Sequence, residues 1–176
     1  MKKIILAMAV LVSSLMADVV VGGTLGYGNM DAEATAGGVS ATADTKYTSL
    51  ELKAGYQWEQ ARALVLFGSD NYKDDMGYEG EKNANYFGIE VDYLIPANED
   101  TDIYAGVVLT DGSKDFVVDT VGFKDFGVKF GAIIETNDGI SLEVGAQVKN
   151  REYDNYMGID MEDDLVGVFV GLNFML

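Results

Sequence analysis

Lys46-Tyr47-Thr48-Ser49-Leu50-Glu51-Leu52-Lys53-Ala54-Gly55-Tyr56-Gln57-Trp58 alternates in character with period two. Thr48, Leu50, Leu52, Ala54, Tyr56 and Trp58 fall on one side of an extended chain, and Ser49, Glu51, Lys53, Gly55 and Gln57 on the other, because successive strand side chains point to opposite faces. No helical period separates the residues in this way, so the stretch reads as a strand with one apolar face.

The same pattern recurs along nearly the whole chain. In 140–151, Ile140, Leu142, Val144, Ala146 and Val148 oppose Ser141, Glu143, Gly145, Gln147, Lys149 and Arg151. Phe87, Ile89, Val91, Tyr93 and Ile95 oppose Gly88, Glu90, Asp92 and Leu94, and Phe126, Val128, Phe130, Ala132 and Ile134 oppose Gly127, Lys129, Gly131 and Ile133. Four further strands are expected at 18–30, 62–72, 102–110 and 164–176. The strand 62–72 is apolar in both phases at Ala63-Leu64-Val65-Leu66-Phe67, which leaves its orientation open. Gaps between strands alternate long and short: 31–45, 59–61, 73–83, 96–101, 111–120, 136–139 and 154–163. Outer-membrane barrels have this asymmetry between tight periplasmic turns and longer external loops. The expectation is an all-β, eight-stranded, antiparallel up-and-down transmembrane barrel with both termini in the periplasm.

At the N-terminus, Lys2 and Lys3 precede an apolar run from Ile4 to Val12, followed by Ser13, Ser14 and the small residue Ala17. This is the layout of a secretory signal peptide over 1–17, and the run is too short for a membrane-spanning helix. Residues 18–176 then form one domain. Twelve Lys and Arg face 29 Asp and Glu; without Lys2 and Lys3 that is 10 against 29, a net charge of −19. Such a chain is no natural partner for nucleic acid. About half of it is apolar, so acidity does not make it disordered. With no cysteine, neither disulfides nor a cysteine-linked lipid anchor is available.

A soluble carrier barrel would also be exported and would also alternate, but with its polar face outward. Two features favour a membrane. Aromatics gather at the ends of the apolar face: Tyr56, Trp58, Tyr93 and Phe174 toward the short turns, Tyr27 and Phe87 toward the long loops, matching the two interfaces of a bilayer. The opposite face is rich in glycine, including Gly22, Gly26, Gly55, Gly106, Gly131 and Gly145. Glycine weakens strands, and a narrow lumen in which long charged side chains need small neighbours explains its confinement to one face.

In the last strand, Val166, Val168, Val170, Leu172, Phe174 and Leu176 alternate with Gly167, Phe169, Gly171, Asn173 and Met175. This resembles the C-terminal signal by which outer-membrane barrels are recognised during assembly, carried by Leu172, Phe174 and Leu176, although that signal usually ends in an aromatic residue. With the signal peptide and loop asymmetry, the chain resembles the small eight-stranded family typified by OmpX and the transmembrane domain of OmpA. The resemblance implies residence in the bacterial outer membrane as a monomer among lipid and lipopolysaccharide. It also implies handling by periplasmic chaperones and the barrel-assembly machinery during biogenesis.

The polar face collects Glu51, Lys53, Glu90, Asp92, Lys129, Glu143, Lys149 and Arg151, with Arg62 beside them. Opposite charges in an interior that side chains just fill are expected to pair, giving an ionic plug. No enzyme is expected and no cofactor. The chain has no histidine, which removes a Ser-His-Asp triad and the histidine-dependent chemistry of outer-membrane barrel enzymes that resemble the lipid A deacylase or palmitoyltransferase types. Without His or Cys, metal binding is confined to carboxylates for hard cations, with Asp160, Glu162, Asp163 and Asp164 as weak candidates in what reads as a solvated acidic loop. Two functions follow: a barrel closed in its lumen, with acidic external loops, serving envelope structure or surface interaction; or a narrow, porin-like or OmpW-like conduit for ions or small apolar solutes.

Overall fold

A computed structural model describes residues 17–73, 82–115, 119–137, 139–155 and 158–176. All but residue 17 of the segment read as a signal peptide lies outside this range, as does Tyr78, a possible loop contact residue. Eight strands follow one another: β1 Asp18–Ala36, β2 Val39–Trp58, β3 Ala61–Lys73, β4 Lys82–Asn98, β5 Thr101–Asp115, β6 Thr120–Asn137, β7 Ile140–Tyr153 and β8 Asp160–Met175. Each pairs antiparallel with the next, and β8 returns to β1, so the sheet closes into a ring. The closing seam runs from Val20 opposite Met175 to Thr35 opposite Asp160. Closure matters physically, because within lipid every backbone donor and acceptor must be satisfied inside the protein, and a ring has no edge.

The burial pattern is inverted relative to a soluble barrel. Glu90, Glu143 and Arg151 are fully buried, whereas Leu25, Phe67, Ile89, Phe130 and Val168 are each about half exposed or more on the outer surface. This answers the question that sequence left open between a carrier barrel and a membrane barrel: the apolar face points outward. Tyr27, Tyr56, Phe87 and Tyr93 all stand exposed on that face, and Trp58 is half-buried beside Tyr56.

Several strands outrun their expected limits. The gap 31–45 is mostly a continuation of the β1–β2 hairpin, which reverses at Gly37 and Gly38 with φ of 58° and 83°, values that glycine adopts without a steric penalty. Likewise Asp111–Asp115 extends β5, and Asp160–Asp163 belongs to β8 rather than to a loop. The cause lies in the outer environment. Beyond the apolar belt the outward positions of β1 become Asn29, Asp31, Glu33 and Thr35, opposite small inward residues Ala32 and Ala34, so the strand continues while its apolar-out signature vanishes. In β3, Arg62, Leu64, Leu66, Asp70 and Tyr72 point inward, and Val65 and Phe67 outward.

Candidate functional site

The lumen is filled by side chains carried on all eight strands. Its central cluster joins four carboxylates and four cations, each almost fully buried. Arg62 donates from Nε to Asp92 at 2.8 Å and from Nη2 to Glu143 at 3.0 Å, with Glu90 at 3.4 Å. Lys53 Nζ lies 2.7 Å from Glu143. Lys129 Nζ bridges Glu51 at 2.8 Å and Glu90 at 2.7 Å, and Lys149 reaches Glu51 at 3.1 Å. These are the charged residues that alternation assigns to the inner face, apart from Arg151.

Arg151 organises a second cluster nearer the long loops. Its guanidinium donates to Asp125 at 2.7 Å from Nε and to Asp70 at 2.9 Å from Nη2, also donates to the Tyr72 hydroxyl, and stacks 3.8 Å from the centre of the Phe123 ring. A planar, five-donor head suits this simultaneous contact with two carboxylates and an aromatic face. At the mouth, Lys114 pairs with Asp163 at 2.9 Å and donates to Tyr153 at 2.7 Å, and Tyr153 donates to Asp163. Burial, and then the Asp163 carboxylate beside it, raise the Tyr153 phenol above its ordinary range.

Neutral donors complete the carboxylates' shells. Tyr104 and Asn173 donate to Glu143 at 2.7 and 2.9 Å, and Tyr86 and Thr24 to Glu51 at 3.0 and 3.3 Å. Asp70, Asp125, Lys114 and the tyrosines 72, 86, 104 and 153 were not foreseen from the sequence, and Asp163 was weighed only as a cation ligand in a loop. Asp125 shares the phase of Lys129 and Tyr86 that of Glu90, so extending the alternation beyond the expected strand ends reaches them, whereas Asp70 and Tyr72 share the phase of Arg62 in the strand whose orientation the apolar run left open.

Inward glycines do leave room, and the room is taken. A Cβ at Gly68 would stand 2.3 Å from the Tyr86 ring, one at Gly106 1.9 Å from Asp92 Oδ1, and one at Gly145 2.6 Å from the Phe169 ring. Leu66, Tyr47, Tyr72, Val108 and Phe123 pack together in the loop-side half of the lumen. The arrangement can hold charge in place.

The four acidic residues weighed as cation ligands divide between the two sides of β8. Asp163 points inward to Lys114, whereas Asp160, Glu162 and Asp164 are exposed and accept hydrogen bonds from Asn155 and Asn150. On the outer surface, Leu172 and Phe174 lie in β8 opposite Leu142 and Ile140, and the Leu176 amide donates to the Val19 carbonyl at 2.9 Å.

No family model and no curated protein matches the sequence. Solved structures do match in fold. Neisserial surface protein A superposes with a TM-score of 0.55 at 16% identity, over 88% of this chain and 97% of its own. The outer membrane protein OprG from Pseudomonas aeruginosa gives 0.56 at 9% identity, over 91% and 96%. Outer membrane protein H (OprH) from P. aeruginosa gives 0.53 at 16% identity, over 91% and 100%. The chain therefore has the fold of a small eight-stranded outer-membrane β-barrel.

Proposed function

We propose that the protein resides in the bacterial outer membrane with both termini periplasmic, and that its lumen is closed by the ionic network, leaving envelope structure or surface interaction as its role. The observation that carries this reading is Arg62, whose guanidinium reaches across the lumen to Glu143 while holding Asp92 and Glu90. A water-filled path would have to pass groups that already satisfy one another. The filled space above Gly68, Gly106 and Gly145 supports closure over the narrow-conduit alternative. Residues 1–17 act as a cleaved signal in this reading. Leu172, Phe174 and Leu176 then present the strand that the barrel-assembly machinery recognises, chaperones escort the chain, and it works as a monomer among lipid and lipopolysaccharide. The extended hairpin and the strand ends rich in Asp and Glu form the acidic external surface.

The test is a planar-bilayer recording of refolded residues 18–176, after a heat-modifiable gel shift has established the barrel. A silent bilayer is expected. Stable unitary current steps that change in size when Gly145 is enlarged would replace the plug by a conduit.

A further inference from the structure

A groove of about 480 Å³ crosses the outer surface of β3 to β6. Exposed Val65, Phe87, Ile89 and Leu109 line it, with Asp111 and Lys124 at its rim. The register places that rim. Phe67, Phe87, Asp111, Lys124 and Glu152 form one outward row across β3 to β7, and Val65, Ile89 and Leu109 belong to the next row toward the barrel middle. The row through Phe87 is thus the border of the apolar belt, aromatic on β3 and β4 and charged on β5, β6 and β7. In the orientation proposed above it meets the headgroups of the outer leaflet, and the groove runs from there into the acyl region.

The charges on the rim identify the occupant. Lys124 stands between Asp111 and Glu152 in the register, and all three are exposed. Among the described residues, no ion pair joins Lys124 to either carboxylate. A headgroup carrying only phosphate would satisfy Lys124 while facing two carboxylates. One carrying a primary ammonium beside its phosphate answers both signs, with charge-assisted hydrogen bonds in each direction. The apolar lining below suits hydrocarbon, and the volume lies within the range of about 300–1,000 Å³ that small-molecule sites occupy. We infer that the groove holds an acyl chain of a phospholipid with a phosphoethanolamine headgroup, its phosphate on Lys124 and its ammonium on Asp111 or Glu152. This deepens the outer-membrane reading and rests on it.

Native mass spectrometry of the refolded barrel tests the site with phosphatidylethanolamine, phosphatidylglycerol of the same acyl chains, and lipid A as probes. The wild-type chain should retain phosphatidylethanolamine in preference to both others. Lys124→Gln should weaken that retention about fivefold, the worth of one lysine near a lipid surface. The double variant D111N/E152Q leaves the cation alone on the rim and should reverse the preference toward phosphatidylglycerol. Leu109→Trp fills the groove and should weaken both phospholipids alike, whereas Val168→Trp, on the outer face of β8 away from the groove, should change neither. Equal retention of the two phospholipids by wild type, an unaltered preference in D111N/E152Q, or equal effects of the two tryptophan variants overturns the site. So does a wild-type preference for lipid A, or a dimer that disappears with Leu109→Trp, since each puts a different occupant in the groove. A heat-modifiable gel shift run on every variant keeps these results apart from a failure of the barrel: a wild-type chain without the shift would defeat the outer-membrane reading itself, and the site with it.

Discussion

Arg62 and Glu143 meet across the full width of the barrel. They belong to β3 and β7, which stand opposite one another in the eight-stranded ring, and Nη2 lies 3.0 Å from Oε1 with both side chains buried. Lys129 on β6 and Glu51 on β2, and Arg151 on β7 and Asp70 on β3, are likewise diametric. These pairs tie opposite walls together, which the hydrogen bonds between neighbouring strands cannot do.

Glu143 accepts from Lys53, Arg62, Tyr104 and Asn173. Glu143→Gln strands part of the positive charge of Lys53 and Arg62 in a buried site. Removing one partner of a buried ion pair costs about 3–5 kcal/mol, and the same loss is expected here. Urea unfolding in lipid vesicles measures it. The double variant Lys53→Met/Glu143→Leu, which removes charge of both signs, should recover part of the loss.

Salt separates these pairs from surface charge. Screening acts on exposed charges at separations beyond about 3 Å in 1 M salt, but little on buried ones. Lys129 and Glu51 are 1% and 2% exposed. A double-mutant cycle with Lys129→Met and Glu51→Gln should give the same coupling energy in 0.1 M and 1 M salt. A coupling that falls away in high salt would mean that water and ions enter the lumen.

Gly68 and Gly23 should respond oppositely to a methyl group. Gly68 faces the lumen beneath Tyr86, two of whose ring carbons and whose hydroxyl oxygen stand in the way of an added Cβ; Gly23 faces outward, where Leu52 Cδ2 and a carbonyl stand at 3.3 and 3.2 Å. Overpacking of this kind typically costs about 1–3 kcal/mol. Gly68→Ala should therefore lower the unfolding free energy by that amount and Gly23→Ala by much less, both read from urea midpoints.

The parts of the fold legible in the sequence are those where one face meets lipid and the other meets charge. Leu50-Glu51-Leu52-Lys53 is such a place, and its two phases correspond to exposed and buried positions. In β3 the signal failed at Leu64 and Leu66, because the lumen at that level is itself apolar: Leu66 packs with Tyr47, Val108 and Phe123. Arg62 and Asp70, in the same phase at either end of the run, held the answer. The strand ends failed for the converse reason. Asp31, Glu33, Glu162 and Asp164 face water rather than lipid, so polar residues stand outward and the alternation loses its contrast although the hydrogen-bonded ladder continues. Which cation takes which carboxylate was not legible at all, since partners such as Lys53 and Glu143 lie 90 residues apart and meet only once the ring has closed.

Trp58 offers a direct measure of how the barrel sits in its bilayer. It is the single tryptophan of the chain, on β2 beside the short turn to β3, with its ring centre 6.3 Å from that of Tyr56. Tryptophan favours the interface, where its apolar body meets acyl chain and its N–H meets the headgroup region. On refolding into vesicles its emission should shift to shorter wavelength, and lipids brominated near the headgroup should quench it more strongly than lipids brominated near the chain ends. Tyr27 and Phe87 mark the opposite border, so Phe87→Trp in a Trp58→Phe background should show the same depth profile. Strong quenching of either tryptophan at the chain ends would require the belt to be shifted along the barrel, which would carry the buried Lys114 and Asp163 pair at the mouth to a different depth as well.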